Sequence, residues 1–361
     1  MKPILTVNLD AIGENYEAIK SVAHGAKVAP VVKADAYGLG AAEVAAKLAA
    51  LGCREFYVST VAEGIALRAR LPGVAIDLLD GAGGGEFDEL ARYDLTPVIN
   101  SAEQLDEWVS RRPVNGSAIL NVETGFNRLG LSIGELASLD TAALRRHNIA
   151  AIMTHFACAG DDLADPHVQR QNALQLENLK RISERFAGMP VSVGLDAVVA
   201  LGDKLGPVAQ VRSGAALYGV QVFPYAMPRL APVMSITAPV LQVKDVPAGE
   251  CVGYGATFTA PKNMRVATLG IGYANGIPRS LGGVGSAWFH DGGKSYRAPI
   301  VGRISMGLIT CDITDVPVGV VGSSAYLLDE SYTINDMCRD SGRLDTEIMT
   351  NLKLATTYRG R

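Results

Sequence analysis

Eight times between residues 29 and 219 the chain sets a short apolar run against a longer amphipathic stretch. The runs are "APVVK", "FYVST", "VAIDLL", "TPVIN", "SAILNV", "IAAIMTH", "VSVGL" and "AQVRSG". Helical spacing marks the segments between them, such as "AAEVAAKLAALG", "SAEQLDEWVSRR" and "VQRQNALQLENLKRISERFAG". Short strands that are apolar on both faces and joined by helices build a parallel sheet. Eight such units predict closure into a (β/α)8 barrel of the TIM type. A doubly wound sheet is the alternative, but its dinucleotide fingerprint is missing. "GAGGGEF" (81–87) has Glu86 where the third glycine of G-x-G-x-x-G belongs, so it reads as a glycine-rich βα turn.

Beyond "LYGVQVFPYAMPRLAP" the rhythm changes to short β-rich runs between Gly and Pro turns, among them "VMSITAPVLQVKDVPAG", "RVATLGIGYA" and "YRAPIVGRISMGLITCDITDVPVG". The expected division is a barrel domain over 1–228 and a smaller, mostly β domain over 229–361. "TVNLDAI" near the start is strand-like and can pair with either domain.

A net charge of −4 offers no basic face to nucleic acid. Five scattered cysteines without a CxxC pair fit reduced thiols better than disulfides or a zinc site. Asp10 and Glu14 interrupt the opening residues before a signal-peptide core forms, and no stretch approaches the ~20 apolar residues of a membrane span. A cytoplasmic protein is expected, with no metal and no membrane or nucleic-acid partner.

In such a barrel the C-terminal ends of the strands face one mouth. Lys33 ends the first strand, Arg128 follows the fifth in "NVETGFNRLG", His155 ends the sixth and Arg212 the eighth. Each alone reads as a strand-end lysine, a loop cation, a core histidine or a helix-end contact. Together, four basic groups around one mouth point to an anionic ligand. "RSGAALYG" places Gly214 and Ala215 where barrels hold phosphate on backbone N–H groups. An amine beside a phosphate cradle suits pyridoxal 5′-phosphate held as a Schiff base on Lys33.

Over essentially its whole length the chain resembles the alanine racemases, barrel-type (fold-type III) pyridoxal-phosphate enzymes. The resemblance rests on "VVKADAYGLG", "TGFNRLGL", "THFA", "VRSGAALYG", "PVMSITAPV", "GYGATFTA", "IGYANG", "VGRISM" and "TTYRGR". It implies that Lys33 carries the cofactor and serves as one base. Tyr254 would be the second base, supplied by the other subunit of a head-to-tail homodimer. It implies Arg212 at the pyridine nitrogen, His155 against the ring, and Tyr37, Gly214, Ala215 and Tyr358 at the phosphate. Arg128 and the Met306 N–H would meet the substrate carboxylate, and Tyr273 would line the entrance. Two bases on opposite faces of Cα then give racemisation without turning the substrate.

The chain also departs from the pattern. Asn121 stands where many members carry a lysine that positions the arginine represented by Arg128. Leu195 and Asp196 replace an asparagine and a phosphate-binding serine, so Asp196 is expected either to turn away or to weaken cofactor binding. Gly160, Asn275 and Gly307 stand where aspartates are usual. A paralogue acting on another amino acid by racemase, aldolase or transaminase-type chemistry, and a cofactor-binding protein with little activity, are the alternatives these departures leave.

Overall fold

The structure is a computed structural model that describes residues 2–111, 116–221 and 227–360. Strand β1 (Ile4–Asn8) leads into the helix Leu9–Val22, and eight parallel strands follow. They are β2 (Lys27–Pro30), β3 (Glu55–Val58), β4 (Ala75–Leu78), β5 (Thr96–Ile99), β6 (Ala118–Asn121), β7 (Ile149–Met153), β8 (Val191–Gly194) and β9 (Gln210–Ser213). Each falls on one of the eight apolar runs. Their hydrogen-bonded order is β2-β9-β8-β7-β6-β5-β4-β3, and a parallel bridge from Val31 to Tyr57 joins the first to the last. The sheet is therefore a closed barrel.

Pattern explains the closure. Strands β2 to β6 read almost entirely buried because helices cover the outside while side chains fill the inside. Ala29, Val31, Tyr57, Val98, Ile119 and Met153 form the plug within the barrel. The outer layer belongs to the main core, where helices such as Val61–Arg70 and Pro166–Arg185 dock on the strands. Helix ends are set locally: Thr60 and Glu63 form a capping box, and Asp165 caps the longest helix just ahead of Pro166.

The remaining strands build, with β1, a second, antiparallel-dominated sheet and a separate two-stranded ribbon. They are β10 (Met234–Val246), β11 (Cys251–Val252), β12 (Phe258–Thr259), β13 (Met264–Leu269), β14 (Ser286–Asp291), β15 (Lys294–Pro299), β16 (Ile309–Asp312), β17 (Ser324–Leu328) and β18 (Ala355–Arg359). Its main path is β15-β14-β17-β10-β1-β18, while β13 bridges β10 to β16 and β11 pairs β12 alone. Strand β1 lies between β10, antiparallel, and β18, parallel. The first strand of the chain thus belongs to the second domain's sheet and runs straight into the barrel's first helix.

Candidate active site

The C-terminal ends of the barrel strands enclose a cavity of about 560 Å³. Lys33, Tyr37, Arg128, His155, Arg212, Gly214 and Ala215 all line it. Seven of the residues singled out from the sequence therefore converge on one space from four strand ends: Lys33 and Tyr37 after β2, Arg128 after β6, His155 after β7, and Arg212, Gly214 and Ala215 at the end of β9.

Lys33 arrives in an unusual setting. The segment Lys33–Gly38 closes one turn, yet Ala34, Asp35, Ala36 and Tyr37 are left-handed, with φ of 50°, 56°, 53° and 59°. Left-handed backbone costs roughly 1–2 kcal/mol per non-glycine residue, so four in succession must be imposed by their surroundings. The Asp35 carboxylate accepts from the Ala41 N–H at 2.7 Å, and the Asp35 carbonyl accepts from Gly40 at 2.9 Å. From outside, the Glu63 carboxylate accepts from the Ala34 N–H at 2.8 Å. Gly38 lies so close to the Met349 carbonyl that a Cβ there would sit 2.8 Å from it. The turn carries Tyr37 into the cavity, where its ring meets that of the fully buried Tyr218 at 4.9 Å. Burial, then Asp345, pushes the Tyr37 phenol up to about 12, so it is a neutral hydrogen-bond donor.

Arg212 is buried without a carboxylate partner among the described residues. Its guanidinium donates to Ser192 Oγ at 2.8 Å and to the Thr154 carbonyl at 2.6 Å. Ser192 passes its own hydrogen to Gln210 Oε1 at 2.6 Å, which also accepts from the Tyr57 hydroxyl at 2.7 Å. These groups anchor a cation whose other side faces the cavity.

His155 sits against Phe126, with ring centroids 5.6 Å apart, and the Arg128 guanidinium lies 4.2 Å from the centroid of that same Phe126 ring. Burial, reinforced by Arg212, Arg128 and Lys33, holds His155 down to about 3. The imidazole is therefore neutral at any ordinary pH. The loop bearing Arg128 is folded on Glu123, whose carboxylate accepts from the N–H groups of Gly125, Phe126 (2.6 Å) and Asn127 (2.8 Å). Its far end is held by Gly130 N–H on the Asn100 carbonyl and Leu131 N–H on that of Asn121. Asn121 in turn donates to Asn100 Oδ1 at 2.8 Å. The asparagine pair braces the loop with neutral groups and gives Arg128 no charge to pair with. Neither Asn100 nor Glu123 was apparent in the sequence, because an Asn or Glu beside a strand end is indistinguishable from an ordinary turn residue.

Asp196 does not turn away. It is the second residue of the helix Leu195–Leu201 and lines the cavity, with its Oδ1 and the His155 imidazole both crowding the place where a Cβ on Gly194 would stand. Burial raises its pKa, and Arg212 offsets part of that.

The donor set suits pyridoxal 5′-phosphate. Lys33 offers an amine and Arg212 a fixed cation. The buried Ser213 hydroxyl has no partner among the described residues, and Gly214 is bare where a Cβ would overlap the Tyr37 hydroxyl. The short turn Ala215–Tyr218 starts there, with first N–H groups that have no intrahelical acceptor. An orphaned hydroxyl, a phenol and free peptide N–H groups at one end of a cavity make a phosphate cradle.

Four other candidates lie apart from the cavity. Tyr254 and Met306 are 69% and 63% exposed, and Tyr273 is 43% exposed in a separate cleft. They share one face of the second domain: Tyr273 N–H donates to the Ser305 carbonyl, Ala274 N–H to that of Met306, and Gly255 abuts the Arg303 guanidinium. On β18, Tyr358 places its hydroxyl against Gly40, behind the Lys33 turn.

Two family models cover this architecture end to end. The alanine racemase N-terminal domain matches residues 7–222, and the alanine racemase C-terminal domain matches 233–358. The chain belongs to the alanine racemase family. Among alanine racemases, the protein is 38% identical over 356 residues to "Alanine racemase, catabolic" of Agrobacterium fabrum, covering 96% of this chain and 89% of that one. It is 36% identical over 354 residues to the alanine racemase of Acidiphilium cryptum, at 97% and 96% coverage. The crystal structure of the Bartonella henselae alanine racemase with covalently bound pyridoxal phosphate superposes with a TM-score of 0.89 at 31% identity, covering 99% of this chain and all of that one. The biosynthetic alanine racemase of Pseudomonas aeruginosa gives 0.86 at 28% identity and 99% coverage of both.

Proposed function

We propose that the protein is a pyridoxal-phosphate-dependent alanine racemase that interconverts L- and D-alanine. The observation that carries this reading is the convergence of Lys33, Arg212, the orphaned Ser213 hydroxyl and the Gly214 cradle on one cavity, in a chain of the alanine racemase family.

Pyridoxal phosphate, bound there, supplies an electron sink that acidifies the substrate Cα–H. Lys33 would hold the aldehyde end, Arg212 the pyridine nitrogen, and Tyr37, Ser213, Gly214 and Ala215 the phosphate, with Tyr358 backing the Lys33 turn at Gly40. The always-charged guanidinium of Arg212 donates and cannot accept a proton, so it keeps the group facing it unprotonated. His155, neutral and wedged on Phe126, packs the ring without adding charge. Arg128, stacked on Phe126 and free of carboxylate partners among the described residues, is the cation for the substrate carboxylate.

Lys33 Nζ removes or returns the Cα proton on one face. Tyr254 lies outside that cavity, exposed on another surface. A head-to-tail homodimer brings the Tyr254 hydroxyl of the partner subunit to the second face. The partner subunit's Met306 arrives with it to offer its N–H to the carboxylate, and Tyr273 borders the entrance. The cytoplasm is the compartment proposed. In support, no described helix is long and apolar enough to cross a membrane.

Incubation with L-alanine in heavy water tests the reading. Deuterium at Cα together with an approach to equal enantiomers is the expected result. Exchange with retention would mean that only one base works, and no exchange would overturn alanine as substrate.

A further inference from the structure

The backbone around Lys33 is held from outside by one carboxylate. Glu63 Oε1 accepts from the Ala34 N–H at 2.8 Å, while Oε2 accepts from the N–H groups of Ser59 at 2.7 Å and Thr60 at 3.3 Å. Ser59 and Thr60 follow directly on β3, whereas Ala34 begins the left-handed turn after β2. One side chain thus ties the end of one barrel strand to the peptide that follows the lysine of the next.

That peptide unites the Lys33 carbonyl carbon with the Ala34 nitrogen, so fixing its N–H fixes the plane from which the Lys33 side chain departs. Ala34 itself is left-handed, a conformation an alanine leaves unless held. The Asp35 carboxylate secures the later part of the turn through Ala41, and Val32 accepts from Ala36. Among the described residues, Glu63 is the partner recorded for the Ala34 N–H. We propose that Glu63 is a positioning residue for Lys33: it imposes the left-handed start of the turn and so aims the lysine amine at the aldehyde end of the cofactor.

The inference rests on Lys33 being the residue that captures the cofactor. Its test follows capture itself, by the visible absorbance of the lysine-bound cofactor, in full-length protein freed of pyridoxal phosphate. Affinity for pyridoxine 5′-phosphate, which fits the phosphate cradle but has no aldehyde, is measured beside it. Glu63→Gln turns one accepting oxygen into a donor, so it cannot keep both the Ala34 and the Ser59 bonds. It is expected to slow capture and lower kcat by roughly ten- to hundredfold, as a lysine misplaced by about 1 Å would, while analogue affinity and KM stay within about twofold. Thr60→Ala, which loses the hydroxyl that caps Glu63 N–H but touches nothing at Ala34, is expected to leave both unchanged.

Capture by Glu63→Gln within about twofold of wild type would overturn the proposal, as would an equal loss of analogue affinity or the same loss in Thr60→Ala. Should the amide variant not fold, Glu63→Asp keeps the charge but is one methylene too short to span both N–H groups, and it is held to the same expectation. A wild-type protein that captures no cofactor would instead overturn the reading of the site on which this rests.

Discussion

Arg212 and Ser192 lie on adjacent strands of the barrel, β9 and β8, the guanidinium donating to the hydroxyl oxygen at 2.8 Å. The hydroxyl's own hydrogen is committed to Gln210. Ser192→Ala therefore strips one partner from a buried cation and one donor from Gln210. Hydrogen bonds to charged groups contribute about 1.5–3 kcal/mol, so stability is expected to fall by that order, read from urea denaturation. Cofactor affinity is expected to drop with it, because among the described residues the guanidinium then keeps its hydrogen bond to the Thr154 carbonyl alone.

The proposed sharing of sites between subunits gives an arithmetic prediction. Lys33→Ala and Tyr254→Phe should each be inactive as pure proteins. Unfolded and refolded together in equal amounts, they form hybrids in half of the dimers, and each hybrid carries one intact site out of two. About a quarter of wild-type activity is expected in the mixture. No recovery would show that Tyr254 does not serve a neighbour's cavity.

His155 makes stability depend on pH. Its folded pKa is lowered to about 3, against roughly 6.5 in an unfolded chain. Between those values the unfolded state binds the extra proton, so the folded state loses stability as pH falls from about 6.5 towards 3. Above 6.5 the group contributes no pH dependence. His155→Gln should flatten this part of the profile. Urea midpoints of the two proteins at pH 7 and pH 5 check it, and equal slopes would contradict the buried-neutral assignment.

A carboxylate lining a cavity built for a dianion is a cost. Asp196→Ser removes the repulsion and restores the residue expected at that position. Pyridoxal phosphate should bind roughly tenfold tighter to the variant, with the difference largest at high pH where Asp196 is fully ionised. Tighter binding by the wild type would mean that Asp196 supports the site through Arg212.

Much of this was legible before any coordinates. Eight apolar runs became eight barrel strands because strands buried on both faces cannot hide their composition. Lys33, Arg128, His155 and Arg212 could be grouped because each ends a strand or follows one closely. The left-handed turn was not legible, since "KADAY" carries no glycine until Gly38 and its conformation is imposed by Glu63, Asp35 and the Met349 carbonyl. Glu63 itself reads as the third residue of a capping box, which it also is. The separation of Tyr273 and Met306 from the cavity was equally hidden, because a motif carries no information about which surface its residues reach, whereas that of Tyr254 was expected from the resemblance alone.

The pairing of β1 with β18 has a consequence for the order of events during synthesis. The barrel strands are complete once residue 213 is made, but the wall behind the Lys33 turn comes from Met349 and Tyr358. A nascent chain can therefore close its barrel early while the lysine remains unsupported on one side. The brace on that side is added when β18 pairs with β1.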